Sequence, residues 1–370
     1  MLKKQIKRIL FIVQLTPPIH GASIMNSYVV NSEIIKRNFN ISIVNLQFAK
    51  SIKELKKFSF FKIFKALLYC FEIVKRVLSY KPNLVYYTLS PTGYAFYRDA
   101  CYVFLLKLLN QKIVFHLHGK GINNNVKDNI LKKYLYRWVF KNTYVICLSE
   151  SLTFDIQEVY FSIPIIVPNG IKLEQYLNRA NHKTDSIPQI LFLSNYKRDK
   201  GILILIEALS ILKNKGFDYS ARLVGAPGDL SIEFLENLIK GQHLTEYIQV
   251  LGPLYGNDKI NEFQNADIFV FPTKNEAFPL VILEAFQYAL PVISTFEGGI
   301  PDIVSDNKTG LLVETQNPEM LADKIAILLE NKNLRIEMGR KGHEKFINNF
   351  TLAHFEKNMN KTFQSILGIN

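Results

Sequence analysis

The chain has 370 residues, 48% of them hydrophobic and 21% charged, which supplies apolar material for two cores and excludes a disordered polyelectrolyte. Its net charge of +13 is uneven: residues 1–180 hold 26 Lys/Arg against 9 Asp/Glu (+17), and residues 181–370 hold 19 against 23 (−4). The three cysteines, Cys70, Cys101 and Cys147, lack the number and spacing of a disulfide framework or a zinc site and point to a reducing compartment.

In chain order, a basic start (Met1 to Arg8) leads into the apolar run Ile9–Leu15, which stops at Thr16-Pro17-Pro18. No small-residue cleavage site follows, so the run reads as a first buried strand and not as a signal peptide. Further strands are expected at Ile41–Leu46, Leu84–Thr88, Ile113–Leu117, Tyr144–Leu148 and Ile163–Val167. They are largely apolar rather than alternating, as strands buried on both faces are, and helix-length segments separate them. No run reaches the roughly 18 apolar residues of a membrane span. Between the second and third strands, Ser51 to Tyr80 carries Phe60, Phe64, Leu67, Phe71, Val74 and Leu78 at helical spacing. Lys53, Lys56, Lys57, Lys62, Lys65, Lys75 and Arg76 surround that stripe, and Phe58, Phe61 and Leu68 lie off it. Two readings stay open: a helix packed through the stripe onto its own sheet, or an interfacial helix on an anionic membrane.

The polar stretch Asn178 to Pro188 is expected to be a linker. Alternation then resumes, with strands at Gln189–Leu193, Ala221–Gly225, Ile248–Leu251, Ile268–Phe271, Pro291–Ser294 and Leu311–Val313, and helices from Pro318 onward. This predicts an α/β protein: a doubly wound domain over 1–177, a linker over 178–188, a second over 189–349, and a terminal helix over 350–370 able to pack back on the first. Ligands of such sheets bind beyond the carboxyl ends of the strands, here in a central cleft.

The segment Ala266 to Val304 carries the most chemistry. Glu276 follows a strand, and Pro279 suits the first turn of a helix. Glu284 sits inside the apolar run Leu280-Val281-Ile282-Leu283-Glu284-Ala285, where a carboxylate needs a partner. Carboxylates suit vicinal sugar hydroxyls, and the helix start at Phe278, Pro279, Leu280 and Val281 offers N–H groups that suit a phosphate. A glutamate near a helix start also serves as an ordinary dipole residue.

This segment resembles glycosyltransferase family 4, whose mark is two glutamates separated by seven residues, as Glu276 and Glu284 are. Gly298-Gly299-Ile300-Pro301-Asp302 and Thr309-Gly310 resemble two of the family's turns. The resemblance implies a GT-B fold, with Glu276 on the donor sugar and Glu284 on the ribose. Leu193 to Gly201 is similar to the family's diphosphate loop ending in Lys-Gly, which gives Lys200 the diphosphate. The family commonly has Arg where this chain has Asn195, and Arg198 is the candidate replacement. Pro17 to Ser23, with Gly21 and Ala22, resembles the Gly-rich loop facing the diphosphate. His118 matches the His that lines the sugar pocket, and His116 is read as a structural residue pointing the other way. Ser149-Glu150 and Pro168-Asn169-Gly170 match the family's first-domain ending.

The implied activity is retaining transfer from a nucleoside-diphosphate-sugar to a saccharide or lipid-linked saccharide, in cell-surface polysaccharide synthesis. No Asp-x-Asp occurs, so neither metal nor cofactor is expected. The expected location is cytoplasmic, peripheral to the inner face of the membrane. A nucleotide-sugar epimerase of the same fold, a nucleic-acid-binding protein suggested by the basic first half, and a degenerate non-catalytic sugar binder are the alternatives. The intact Glu276/Glu284 pair speaks against the last, and the preferred reading has no nucleic-acid partner.

Overall fold

The computed structural model describes residues 6–48, 60–174 and 187–369. Residues 178–186 of the expected linker lie outside these, as do residues 51–59, with Lys53, Lys56, Lys57 and Phe58. The chain divides into two compact units, residues 1–170 with 352–370, and residues 171–351.

The first unit is built on a six-stranded parallel sheet. Its strands are β1 (Arg8–Val13), β2 (Asn40–Asn45), β3 (Leu84–Tyr87), β4 (Ile113–His116), β5 (Tyr144–Cys147) and β6 (Ile165–Ile166), in the order β2-β1-β3-β4-β5-β6. The helices between them are α1 (Gly21–Asn31), α2 (Glu33–Asn38), α3 (Phe60–Tyr80), α4 (Gly93–Leu108), α5 (Ile122–Val126) and α6 (Ile130–Phe140). β1, β3 and β4 are buried almost end to end, which is why their sequences are apolar apart from Arg8 at the start of β1 and His116 at the end of β4. β6 is shorter than the run Ile163–Val167, because Pro164 has no N–H for the ladder.

The second unit repeats the plan with β7 (Gln189–Leu193), β8 (Ser220–Val224), β9 (Ile248–Leu251), β10 (Ile268–Phe271), β11 (Val292–Thr295) and β12 (Gly310–Val313), in the order β12-β11-β10-β7-β8-β9 and again parallel. Its helices are α7 (Ile202–Asn214), α8 (Ile232–Gly241), α9 (Gly256–Asn265), α10 (Leu280–Gln287), α11 (Ile300–Ile303), α12 (Pro318–Glu330) and α13 (Lys332–Asn349). The last helix, α14 (Leu352–Leu367), belongs to the first unit, where Phe363 meets Phe11, Phe39 and Tyr86 edge-on at 5.6–6.0 Å between ring centres. Each sheet reverses its strand order once, at β1/β3 in the first unit and at β7/β10 in the second. These switch points are where doubly wound sheets hold ligands.

α3 corrects one of the two readings of its segment. Its packed face is Ile73 and Val77, with Tyr69 and Cys70 partly buried, while Phe64, Leu67, Phe71 and Leu78 face solvent. The stripe is not what holds the helix to its sheet. α3 is apolar on more than one side, and the smaller β-branched residues fit the core against β2 and α4. Among the described residues no helix is long and apolar enough to cross a membrane.

Candidate active site

In the second unit the switch point is framed by the loops after β7 and β10. The first ends in a 3₁₀ turn, Arg198–Lys200, closed by Gly201. Gly201 has φ +78°, and a Cβ there would lie 1.9 Å from the Pro272 carbonyl oxygen, so only glycine lets the two loops meet. The Asp199 carbonyl accepts from the Thr273 hydroxyl at 3.0 Å and from the Lys274 N–H at 2.9 Å. This stitching brings the Lys200 ammonium to 2.5 Å from Glu276 Oε1 and 3.2 Å from the Asn275 carbonyl.

Glu276 is held by its backbone. Its N–H donates to Glu297 Oε1 at 3.3 Å. Gly298, with φ +54°, lies against the Glu276 carbonyl, where a Cβ would come within 2.2 Å. The Gly299 N–H donates to the Ala277 carbonyl at 2.7 Å. The Gly-Gly turn therefore acts as a brace behind Glu276. Pro279 caps α10, and no side chain fills the cap. Phe278 is buried on Phe350, 6.1 Å between ring centres. Leu280 and Val281 form the first turn of α10, so its opening N–H groups meet no capping side chain.

Glu284 has the partner that its apolar setting requires: Lys259 of α9, Nζ to Oε1 2.6 Å. Lys259 carries no sequence signal, because α9 is separated from α10 by a whole strand. Asn195 is exposed. The Arg198 guanidinium lies 5.9 Å over the Phe234 ring, and its backbone N–H donates to Asp229.

In the first unit a cavity of about 230 Å³ opens at the β1/β3 switch point, lined by Gln14, His20, Ala22, Asn26, Arg98 and His118 among others. Gly21 begins α1 beside it, and a Cβ there would meet nothing within 4 Å. His20 caps α1, its Nδ1 accepting from the Ser23 N–H at 3.3 Å while its own N–H donates to Ser23 Oγ at 3.0 Å. Arg98 is clamped by buried Asp99 through Nε at 2.8 Å and Nη2 at 2.6 Å. Asp155 pins the loop after His118, accepting from the N–H groups of Gly121, Ile122 and Asn123 at 2.9–3.1 Å.

The orientation expected for His116 is wrong. Its ring lies 4.0 Å from that of His118, and its Nδ1 meets the Tyr86 hydroxyl at 2.6 Å. Strand side chains alternate, so positions i and i+2 share a face and do not oppose each other. Burial pushes the His118 imidazole down to about 3, with His20 nearby adding to the effect, and pushes His116 well below its usual range. Neither ring nitrogen of His118 has a hydrogen-bond partner among the described residues. Among the described residues no group of three or more His, Cys, Asp or Glu converges as metal ligands would. His20, Asn26, Arg98, Lys259 and Glu297 are polar neighbours of these sites that sequence reasoning did not select.

Residues 176–345 match the family model for glycosyl transferases group 1. The chain is 29% identical over 252 residues to the uncharacterized glycosyltransferase MJ1178 of Methanocaldococcus jannaschii, covering 68% of each protein. It is 29% identical over 192 residues to the capsular polysaccharide biosynthesis glycosyltransferase CapM of Staphylococcus aureus, covering 50% of this chain and 49% of CapM. The chain thus spans about half the length of that relative. In structure it is similar to Anabaena Alr3699/HepE in complex with UDP, with a TM-score of 0.73 at 16% identity over 97% of this chain and 100% of that one. The fold is α/β of the GT-B type, and the match of residues 176–345 to the group 1 model, with the similar glycosyltransferase sequences, supports a glycosyltransferase.

Proposed function

We propose that this protein is a retaining glycosyltransferase that moves a sugar from a nucleoside-diphosphate-sugar to a saccharide or lipid-linked saccharide in cell-surface polysaccharide assembly. The observation that carries the reading is the meeting of Lys200 and Glu276 at the β7/β10 switch point. A lone ammonium suits a diphosphate, and a carboxylate suits the hydroxyls of a sugar. The complex of Alr3699/HepE with UDP supports a nucleotide-sugar as donor, and the likeness to CapM supports a polysaccharide product.

The leaving nucleoside diphosphate develops negative charge that must be stabilised. Lys200 and the opening N–H groups of α10 supply that, with Glu284 on the ribose and Glu276 on the transferred sugar. Gly21, Ala22 and His118 keep the donor-binding roles that the family resemblance gives them, and no metal is called for. Glu276 is assigned to sugar binding and not to nucleophilic attack, so the acceptor hydroxyl attacks on the face from which the diphosphate leaves. Attachment to an anionic membrane surface on its cytoplasmic side belongs to the same reading, supported by the outward apolar face of α3.

A panel of nucleotide-sugars in a thermal-shift assay identifies the donor, because a ligand of the native state raises Tm by mass action. NMR of the product made with an acceptor then reads the anomeric configuration. Turnover of the donor without an acceptor would assign an epimerase instead. Tight RNA binding with no nucleotide-sugar response would return the basic first half to nucleic acid.

A further inference from the structure

One face of the first unit carries a feature outside the candidate site. α3 turns Phe61, Phe64, Leu67, Leu68 and Phe71 outward, with Phe61 68% and Phe71 73% exposed. Beside it, between α4 and α6, Cys70, Cys101, Phe104, Leu105, Leu135 and Trp138 line an open groove of about 700 Å³ whose walls are almost wholly apolar. Small-molecule sites run to roughly 300–1,000 Å³, so the volume suits one ligand. A groove with so little polar surface selects an apolar one. Exposed apolar surface of this extent marks an interaction site.

Charge narrows the choice of ligand. α3, α4 and α6 together carry nine basic and two acidic residues, a net +7. One of the acids, Asp99, is buried against Arg98. Two copies of the chain meeting through this face would set like charge against like, which disfavours self-association. Arg98 and Lys133 are paired with Asp99 and Glu158, and an occupant with an apolar chain and an anionic head suits the groove and the remaining basic residues of the helices that form it.

We infer that the α3–α4–α6 groove binds one hydrocarbon chain of an anionic bilayer lipid, with the basic residues of α3 at its head group. The site deepens the membrane attachment proposed above and rests on it for the supply of lipid. Trp138 is the single tryptophan of the chain and lines the groove, so its emission reports the occupant directly.

The test uses the full chain with phosphatidylglycerol vesicles whose acyl chains carry bromine. Sedimentation reads attachment, and quenching of Trp138 reads the groove. Dodecyl phosphate below its micelle concentration supplies the same chemistry without a bilayer, and its binding is read as a blue shift of Trp138. Wild type is expected to sediment, to lose about half or more of its emission, and to shift with dodecyl phosphate. Cys101→Phe fills the groove from an exposed position and should still sediment while losing most of the quenching and the shift. Cys101→Leu serves if the larger residue lowers Tm. Attachment without quenching and without the shift overturns the groove and spares the membrane reading. A blue shift without attachment supports the groove's ligand chemistry and overturns the membrane reading. Concentration-dependent dimers that bury Trp138 in the absence of lipid would give the face to a second copy and overturn the inference.

Discussion

Lys200 and Glu276, 76 positions apart in the chain, form an ion pair with 2.5 Å between Nζ and Oε1. Their side chains are only 17% and 20% exposed, so each charge is partly withdrawn from water and depends on the other. In the proposed reaction each has a better partner in the donor, the diphosphate for Lys200 and the sugar hydroxyls for Glu276. Donor binding then exchanges one internal pair for two contacts with the ligand.

Glu276→Gln keeps the shape of the side chain and removes its charge. We expect the transfer rate to fall by about 100-fold or more, in the range seen for lost transition-state contacts. A partly exposed ion pair contributes roughly 0–1 kcal/mol, so Tm should move by no more than about 2–4 °C. Rate and Tm measured on the same preparation decide it, and a fully active variant would remove Glu276 from the site.

Lys200→Ala should weaken inhibition by free nucleoside diphosphate about tenfold, a loss of ~1.4 kcal/mol. The Arg198 guanidinium lies over Phe234 and makes no hydrogen bond to the Glu276 loop among the described residues, so Arg198→Ala should cost less. Equal losses would give Arg198 the place of the cation absent at Asn195. Unchanged inhibition in Lys200→Ala would refute its assignment.

Much of this is legible in the amino-acid sequence. All twelve strands overlap the apolar runs that mark them, most within one residue at either end, because parallel strands covered on both faces are largely apolar. The Lys200 and Glu276 loops were legible because both sit at strand ends and carry recognisable spacing. The pairing of Lys200 with Glu276, and of Lys259 with Glu284, was not, since sheet order and loop contact create it. For α3 the periodicity marked an apolar face but not which face the core would take. That choice depends on β2 and α4, and Ile73 and Val77 fill it. The orientation of His116 was legible in principle and was misread, because residues two apart on a strand share a side.

Gly298→Ala tests the brace behind Glu276. The substitution forces a Cβ to 2.2 Å from the Glu276 carbonyl at φ +54°, and strain of this kind costs about 1–3 kcal/mol. Tm should fall by several degrees, and transfer should fall with it as the Glu276 loop shifts. Gly21→Ala is the contrast, since a Cβ there meets nothing within 4 Å. It should leave Tm unchanged and weaken only donor binding. A silent Gly298→Ala would show that the turn yields freely.

Transfer should survive excess EDTA within about twofold. Lys200 and the α10 N-terminus are the charges proposed to meet the diphosphate, and an ammonium with free N–H groups can bind it without a metal. Loss of activity that magnesium or manganese restores would reveal a metal site outside this reading.

The last expectation concerns pH. The folded chain holds His116 and His118 neutral, because burial disfavours their charged forms, whereas an unfolded imidazole takes a proton near pH 6.5. Below that pH the unfolded state binds more protons than the folded one. Stability that is fully present above pH 6.5 is therefore lost as the pH falls toward about 3, where His118 itself charges. His118→Gln removes one of these proton sites from the unfolded chain. Between pH 7 and 4 the Tm of wild type should drop further than that of the variant, and carboxylates shared by both cancel in the difference. Proton NMR supplies an independent reading: the imidazole signal that His118→Gln deletes should not shift between pH 8 and 4.5. A signal that titrates near pH 6.5, or parallel Tm curves, would show that His118 exchanges protons freely with solvent.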